Sequence, residues 1–178
     1  MRWQVVIVMG VSGCGKTTVG QALARATGGT FEDGDGFHPP ANVAKMRRGE
    51  PLTDADRAGW LAALRERAEE RFAQTTAKAS AQLILASSAL RRSYRAQLLQ
   101  PGEPGCFVYL KATHAAIARR LEAREGHFFP PELLASQFAT LEEPTAAESN
   151  VHTVPIEGLD ETAVLQSVLQ ALALPLLE

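Results

Sequence analysis

"GVSGCGKT", residues 10–17, sets three glycines, a lysine and a threonine in the order G-x-x-x-x-G-K-[ST]. The apolar run "WQVVIVM" (3–9) leads into it, and a helical pattern from about Lys16 to Ala26 leads out. A strand, a glycine-rich loop and a helix in that order form a phosphate cradle. Successive backbone N–H groups converge on the anion, and the helix N-terminus adds partial positive charge. Glycine lets the loop curl and approach the ligand closely. Gly10, Val11, Ser12, Gly13, Cys14, Gly15, Lys16, Thr17 and Thr18 are therefore the predicted nucleotide-binding residues. Lys16 faces the β- and γ-phosphates, and Thr17 offers its hydroxyl to Mg²⁺. A dinucleotide fingerprint does not fit, because its third glycine would fall at Thr18. Cys14 reads as a small side chain filling a tight turn.

Outward from the loop, short β-rich runs alternate with longer helical patterns, which indicates an α/β fold. "VVIVM" (5–9) suits a parallel strand buried on both faces. Further strands are expected at "GTFED" (29–33), "AQLILASS" (81–88) and "CFVYLKA" (106–112). "VHTVPI" (151–156) is a fifth, placed at an edge by Pro155. Residues 54–75 set Trp60, Leu61, Leu64, Ala68 and Phe72 at helical intervals, with Asp54 as the expected N-cap. Other helices are expected at 91–100, at 113–124 with Thr113 as cap, and at about 160–173. Trp60 and Met46 are expected in the core, Tyr94 in packing, and His114 and His152 on the surface.

At 178 residues the chain has room for one domain. Its 46% hydrophobic and 21% charged residues are ordinary for a soluble protein, and a formal net charge of −2 argues against general nucleic-acid binding. No apolar run is long enough to span a bilayer, and no basic-then-apolar leader opens the chain. Cys14 and Cys106 show neither metal-ligand nor disulfide spacing, so a reducing, cytoplasmic setting is expected.

"FEDGDGFHPP" (31–40) gathers Asp33, Asp35 and His38 directly after the second strand. Taken alone, this is an acidic turn. At the carboxyl edge of a parallel sheet that also carries the phosphate loop, it becomes an acceptor site. One aspartate can take or orient a hydroxyl proton, while the other holds a metal-bound water. Asp35 is the expected base or hydroxyl-orienting group and Asp33 the expected metal partner, with Thr17; the reverse assignment of the two aspartates is the alternative.

From here the resemblance is specific. "DGDGFHPPANVAKMRRGEPLTDADRAGWL" (33–61) resembles the signature of bacterial-type gluconate kinases. The similarity continues at "SALRRSYR" (88–95), "RLEAREGHFF" (120–129) and "SQFATLEEP" (136–144). The resemblance implies ATP-dependent phosphorylation of D-gluconate at its 6-hydroxyl. It also implies the three-layer P-loop kinase fold, with a central, mostly parallel five-stranded sheet, a helical acceptor-binding segment at about 36–78 and a mobile lid at about 124–134. Homodimeric assembly is implied as well. Arg120 and Arg124, four apart on one helix face, are candidates for the ATP phosphates, with Arg124 joining Lys16, Asp33 and Asp35 as catalytic. The carboxylate of gluconate calls for a cation, preferably a guanidinium. Arg57 and Arg91 lead, followed by Lys45 and Arg48, while His38 and His127 are candidates for other acceptor contacts.

Two departures stand out. Ser87-Ser88-Ala89-Leu90-Arg91 replaces the family's C-S-A-L-K, and the third strand ends without an aspartate. Three alternatives remain open: a kinase for shikimate or a nucleotide, a nucleotide switch, and a non-catalytic ATP-binding module. The chain carries no N-K-x-D guanine motif, which weighs against a GTPase switch.

Overall fold

The computed structural model describes residues 3–74, 81–123 and 130–174. β1 (Val5–Met9) is followed by the phosphate loop and α1 (Lys16–Thr27). β2 (Thr30–Asp33) runs into a 3-10 turn at Gly34–Phe37, then α2 (Pro40–Arg47) and α3 (Asp54–Ala73). β3 (Leu83–Ser87), α4 (Arg92–Leu98), β4 (Gly105–Lys111), α5 (His114–Glu122) and α6 (Pro131–Thr140) follow. β5 (Val151–Pro155) and α7 (Glu161–Leu172) complete the order.

The five strands lie in the order β2-β3-β1-β4-β5, and every pairing is parallel. All five residues of β1 are buried, as a strand covered on both faces must be. Val6, Val8, Ile84, Val108 and Leu110 face one core with Leu23 of α1 and Val168 of α7. Val5, Ile7, Met9, Leu85 and Phe107 face the other, with Trp60 and Leu64 of α3 and Leu98 of α4. Helix, sheet and helix thus form three layers. β5 is an edge strand, the place where Pro155 removes no ladder donor that the sheet needs.

Some expectations require correction. The N-cap of α3 is Thr53, not Asp54. Its hydroxyl accepts from the Asp56 N–H, while the Asp56 carboxylate accepts from the Thr53 N–H at 2.8 Å, a closed capping box. Met46 is 37% exposed because α2 packs outside both cores. His152 is half-buried, edge-on to Trp3 with ring centroids 5.8 Å apart. Of the expected lid, 124–129 lie outside the described residues; 131–134 begin α6.

Candidate active site

β1 delivers the loop to the carboxyl edge of the sheet. Gly10 has φ +143°, and a Cβ there would lie 2.8 Å from Cys14 Sγ and 3.2 Å from the Leu110 carbonyl oxygen. No larger residue fits this first bend. Cys14 is buried beneath the loop, and burial pushes its thiol pKa above the ordinary value. It fills the turn. α1 begins with no acidic residue in its first turn, which keeps its N-terminus electrically open to an anion. Lys16 Nζ donates to the Val11 carbonyl at 3.1 Å, so its charge is held at the loop.

β2 ends beside this loop. Thr17 Oγ1 donates to Asp33 Oδ2 at 3.1 Å, and Asp33 Oδ1 accepts the Asp35 N–H at 3.0 Å. One carboxylate therefore fixes both the first turn of α1 and the turn that carries Asp35. A cleft of about 790 Å³ is lined by Ser12 through Val19, Asp33, Asp35 and Arg120. That volume suits a ligand of nucleotide size. Arg120, on α5, also donates to the Ile156 carbonyl at 2.9 Å.

The expected acceptor residues divide into two groups. The His38 ring stacks on Trp60, 4.6 Å between centroids and 10° between planes, and its Nδ1 lies 3.3 Å from Asn42 Nδ2. Asn42 Nδ2 can only donate, so Nδ1 accepts and Nε2 carries the proton. Burial lowers the His38 pKa, with Asp35 raising it and Arg57 lowering it further. Trp60 is 1% exposed and donates from Nε1 to the Gly34 carbonyl at 2.7 Å. It is core, as expected, and also the shelf for His38. Arg57 and Arg91 lie over the Tyr94 ring, each 5.7 Å from its centroid. Arg91 pairs with Asp54 at 2.7 Å, Arg57 Nη1 lies 3.9 Å from the same carboxylate, and the Tyr94 hydroxyl donates to it.

Lys45 and Arg48 are held elsewhere. Lys45 lies 2.8 Å from both Asp56 oxygens, which together with Thr53 brings the Asp56 pKa down to about 2. Arg48 pairs with its neighbour Glu50 at 2.6 Å on the exposed surface. Arg124 and His127 lie outside the described residues.

Residues 5–144 match the family described as "AAA domain". A gluconokinase of Gluconobacter oxydans (strain 621H) is 51% identical over 144 residues, covering 81% of this chain and 78% of that protein. The chain belongs to the gluconokinase family. The thermoresistant gluconokinase of Escherichia coli (strain K12) is 45% identical, over 87% of this chain and 88% of that one. The crystal structure of a gluconokinase from Sinorhizobium meliloti 1021 matches with a TM-score of 0.83 at 40% identity, covering 95% of this chain and 91% of that one.

On this gluconokinase framework the structure adds residues that the sequence reading did not assign. Asp54 joins Arg57, Arg91 and Tyr94, which come from two helices and the turn before the second. Asp160 and Glu161, at the start of α7, line the same cleft as the phosphate loop. Gln137 reaches Ser12 across 125 positions of chain. Its motif, "SQFATLEEP", was visible; no spacing rule connects it to residue 12.

Proposed function

We propose that this member of the gluconokinase family transfers the γ-phosphoryl group of ATP to the 6-hydroxyl of D-gluconate, giving 6-phosphogluconate and ADP. The observation that carries the reading is the shared cleft: Asp33 and Asp35 open into the same space as the phosphate loop, with Thr17 bonded to Asp33. Phosphoryl transfer needs a metal-side and an acceptor-side group on the two flanks of one phosphate. Residues two positions apart supply both.

Loop N–H groups and Lys16 bind the phosphates. Thr17 and Asp33 bring two hard oxygen donors to within 3.1 Å of each other, a set that suits Mg²⁺, and these two residues would hold it. When bound, Mg²⁺ supplies charge neutralisation on the phosphate oxygens. Asp35 takes the proton of the acceptor hydroxyl as its oxygen bonds to phosphorus, and the bond to the bridging oxygen of ADP breaks. Arg120, with Arg124, balances charge on the nucleotide side. His38, neutral and held flat on Trp60, presents Nε2–H to the acceptor. Arg91 and Arg57, whose two positive charges share the single carboxylate of Asp54, receive the acceptor carboxylate.

The chain is read as a single kinase domain, with an acceptor segment at about 36–78 and a lid at about 124–134 that closes to exclude water from the γ-phosphate. Two buried cysteines, Cys14 and Cys106, suit a reducing cytoplasm. Among the described residues no helix is long and apolar enough to cross a membrane. A homodimer is the assembly the family resemblance implies, and light scattering would read it.

ADP release with Mg·ATP, measured across D-gluconate, shikimate, other sugar acids and nucleoside monophosphates, tests the reading. Turnover is expected with D-gluconate. Preference for another acceptor would keep the phosphate site and overturn the assignment of 33–61.

A further inference from the structure

"SQFATLEEP" (136–144) has no part in the transfer described above, yet it grips two loops, the phosphate loop and the one that carries Arg91. On α6, Gln137 Oε1 accepts the Ser12 N–H at 2.6 Å, and Gln137 Nε2 donates to Ser12 Oγ at 2.9 Å. Chemistry fixes the orientation of the carboxamide. A backbone N–H can only donate, so the oxygen must face it, which leaves the amide hydrogens for the hydroxyl. Five residues on, the Glu142 N–H donates to the Leu90 carbonyl at 2.8 Å, and the Glu142 carboxylate accepts the Arg92 N–H at 2.7 Å. One short stretch thus holds the phosphate loop at one end and the loop carrying Arg91 at the other.

We propose that Gln137 is a positioning residue for phosphoryl transfer: its carboxamide fixes the outer arm of the phosphate loop at Ser12 and ties that arm to α6. Ser12 stands at the third position of the loop, between the bends at Gly10 and Gly13. A cradle of converging N–H groups binds an anion tightly only if its curl exists beforehand, since ordering it on binding subtracts from affinity. A single hydrogen bond would fix position alone. Two bonds from one planar group to N–H and Oγ of one residue fix rotation as well. Ser12 N–H is then committed to Gln137, and the N–H groups from Gly13 onward are the ones that meet phosphate. This inference rests on the phosphate-loop reading above.

Gln137→Met tests it, because methionine keeps the length and packing of the half-buried side chain and loses both hydrogen bonds. Loss of a paired hydrogen bond at such a site predicts a rise of about tenfold in both KM for ATP and the dissociation rate of a fluorescent N-methylanthraniloyl-ATP analogue. KM for D-gluconate and Tm should stay near wild type. Ser12→Ala should weaken the analogue in the wild-type background and add little in Gln137→Met, since both changes break one linkage. Unchanged dissociation in Gln137→Met would overturn the proposal. So would equal losses in both KM values with a lowered Tm, which mark a merely structural role. Lys16→Ala is the control. If it fails to weaken the analogue, the phosphate-loop reading itself falls; if it weakens the analogue while Gln137→Met does not, only the role of Gln137 falls.

Discussion

Asp33 and Asp35 stand two positions apart and are held differently. Asp33 is bonded to Thr17 and to the Asp35 N–H, whereas the Asp35 carboxylate opens into the cleft. Asp35→Asn keeps the shape and removes the proton acceptor, so kcat should fall by about 10²–10⁴-fold while KM for ATP changes little. Steady-state kinetics with both substrates varied would check this, and an unchanged kcat would remove Asp35 from the chemistry. His38 gives a second test. Burial makes its cation costly, so the folded protein takes up that proton at lower pH than the unfolded chain does. Stability from this site is whole above the ordinary histidine value of 6.5 and is lost as pH falls through the lower folded value. KM for D-gluconate should be flat above that value and rise below the folded pKa, where Nδ1–H would face the Asn42 donor. Histidine NMR titration alongside KM would read both, and a ring titrating above 6.5 would contradict it. The phosphate loop was legible at this scale because its function lies in backbone spacing. The His38–Trp60 stack was not, because it depends on how α3 docks against the 3-10 turn.

At the scale of elements, Gly34 joins β2 to the turn that aims Asp35. A Cβ on it would lie 2.2 Å from the Ala86 carbonyl oxygen, with rigid backbone on both sides. Gly34→Ala must push β2 and its turn away from β3. Its expected cost is about 1–3 kcal/mol of stability, with a drop in kcat because Asp33 and Asp35 flank the displaced residue. Chemical denaturation and kinetics on one preparation would measure both. The strands and α1, α3, α4, α5 and α7 were legible in the sequence pattern, since β1 is apolar throughout and α3 repeats at helical spacing, whereas α2 and α6 were not placed. The start of α3 was misread because Thr53 and Asp54 are both competent caps. Asp56, three residues beyond Thr53, decides between them by closing the box. Met46 was misplaced because α2 is too short and too polar to reveal which side faces protein.

Across the whole molecule, Arg95 links segments that the sequence keeps far apart. It is 2% exposed, lies 2.6 Å from Glu148, and donates to the carbonyls of Ala89, Leu90 and Glu142. Ala89 there has φ +42°, a strained value for a residue with a side chain. Arg95→Met leaves Glu148 without its partner, for an expected loss of about 3–5 kcal/mol and a fall in Tm on the order of 10 °C by calorimetry. Arg95 holds Glu148 below the ordinary carboxyl value of 4.5. That contribution is present above 4.5 and disappears as pH falls through the lower folded value. Such long-range pairing cannot be read from local pattern, and neither can the strand order β2-β3-β1-β4-β5 that seats the acidic turn beside the phosphate loop. The transfer itself has the most direct test. D-gluconate labelled with ¹³C at carbon 6, incubated with Mg·ATP and the enzyme, should give a phosphomonoester whose ³¹P signal is split by that carbon. An unsplit phosphomonoester signal, or ATP left unconsumed, would contradict phosphorylation at the 6-hydroxyl.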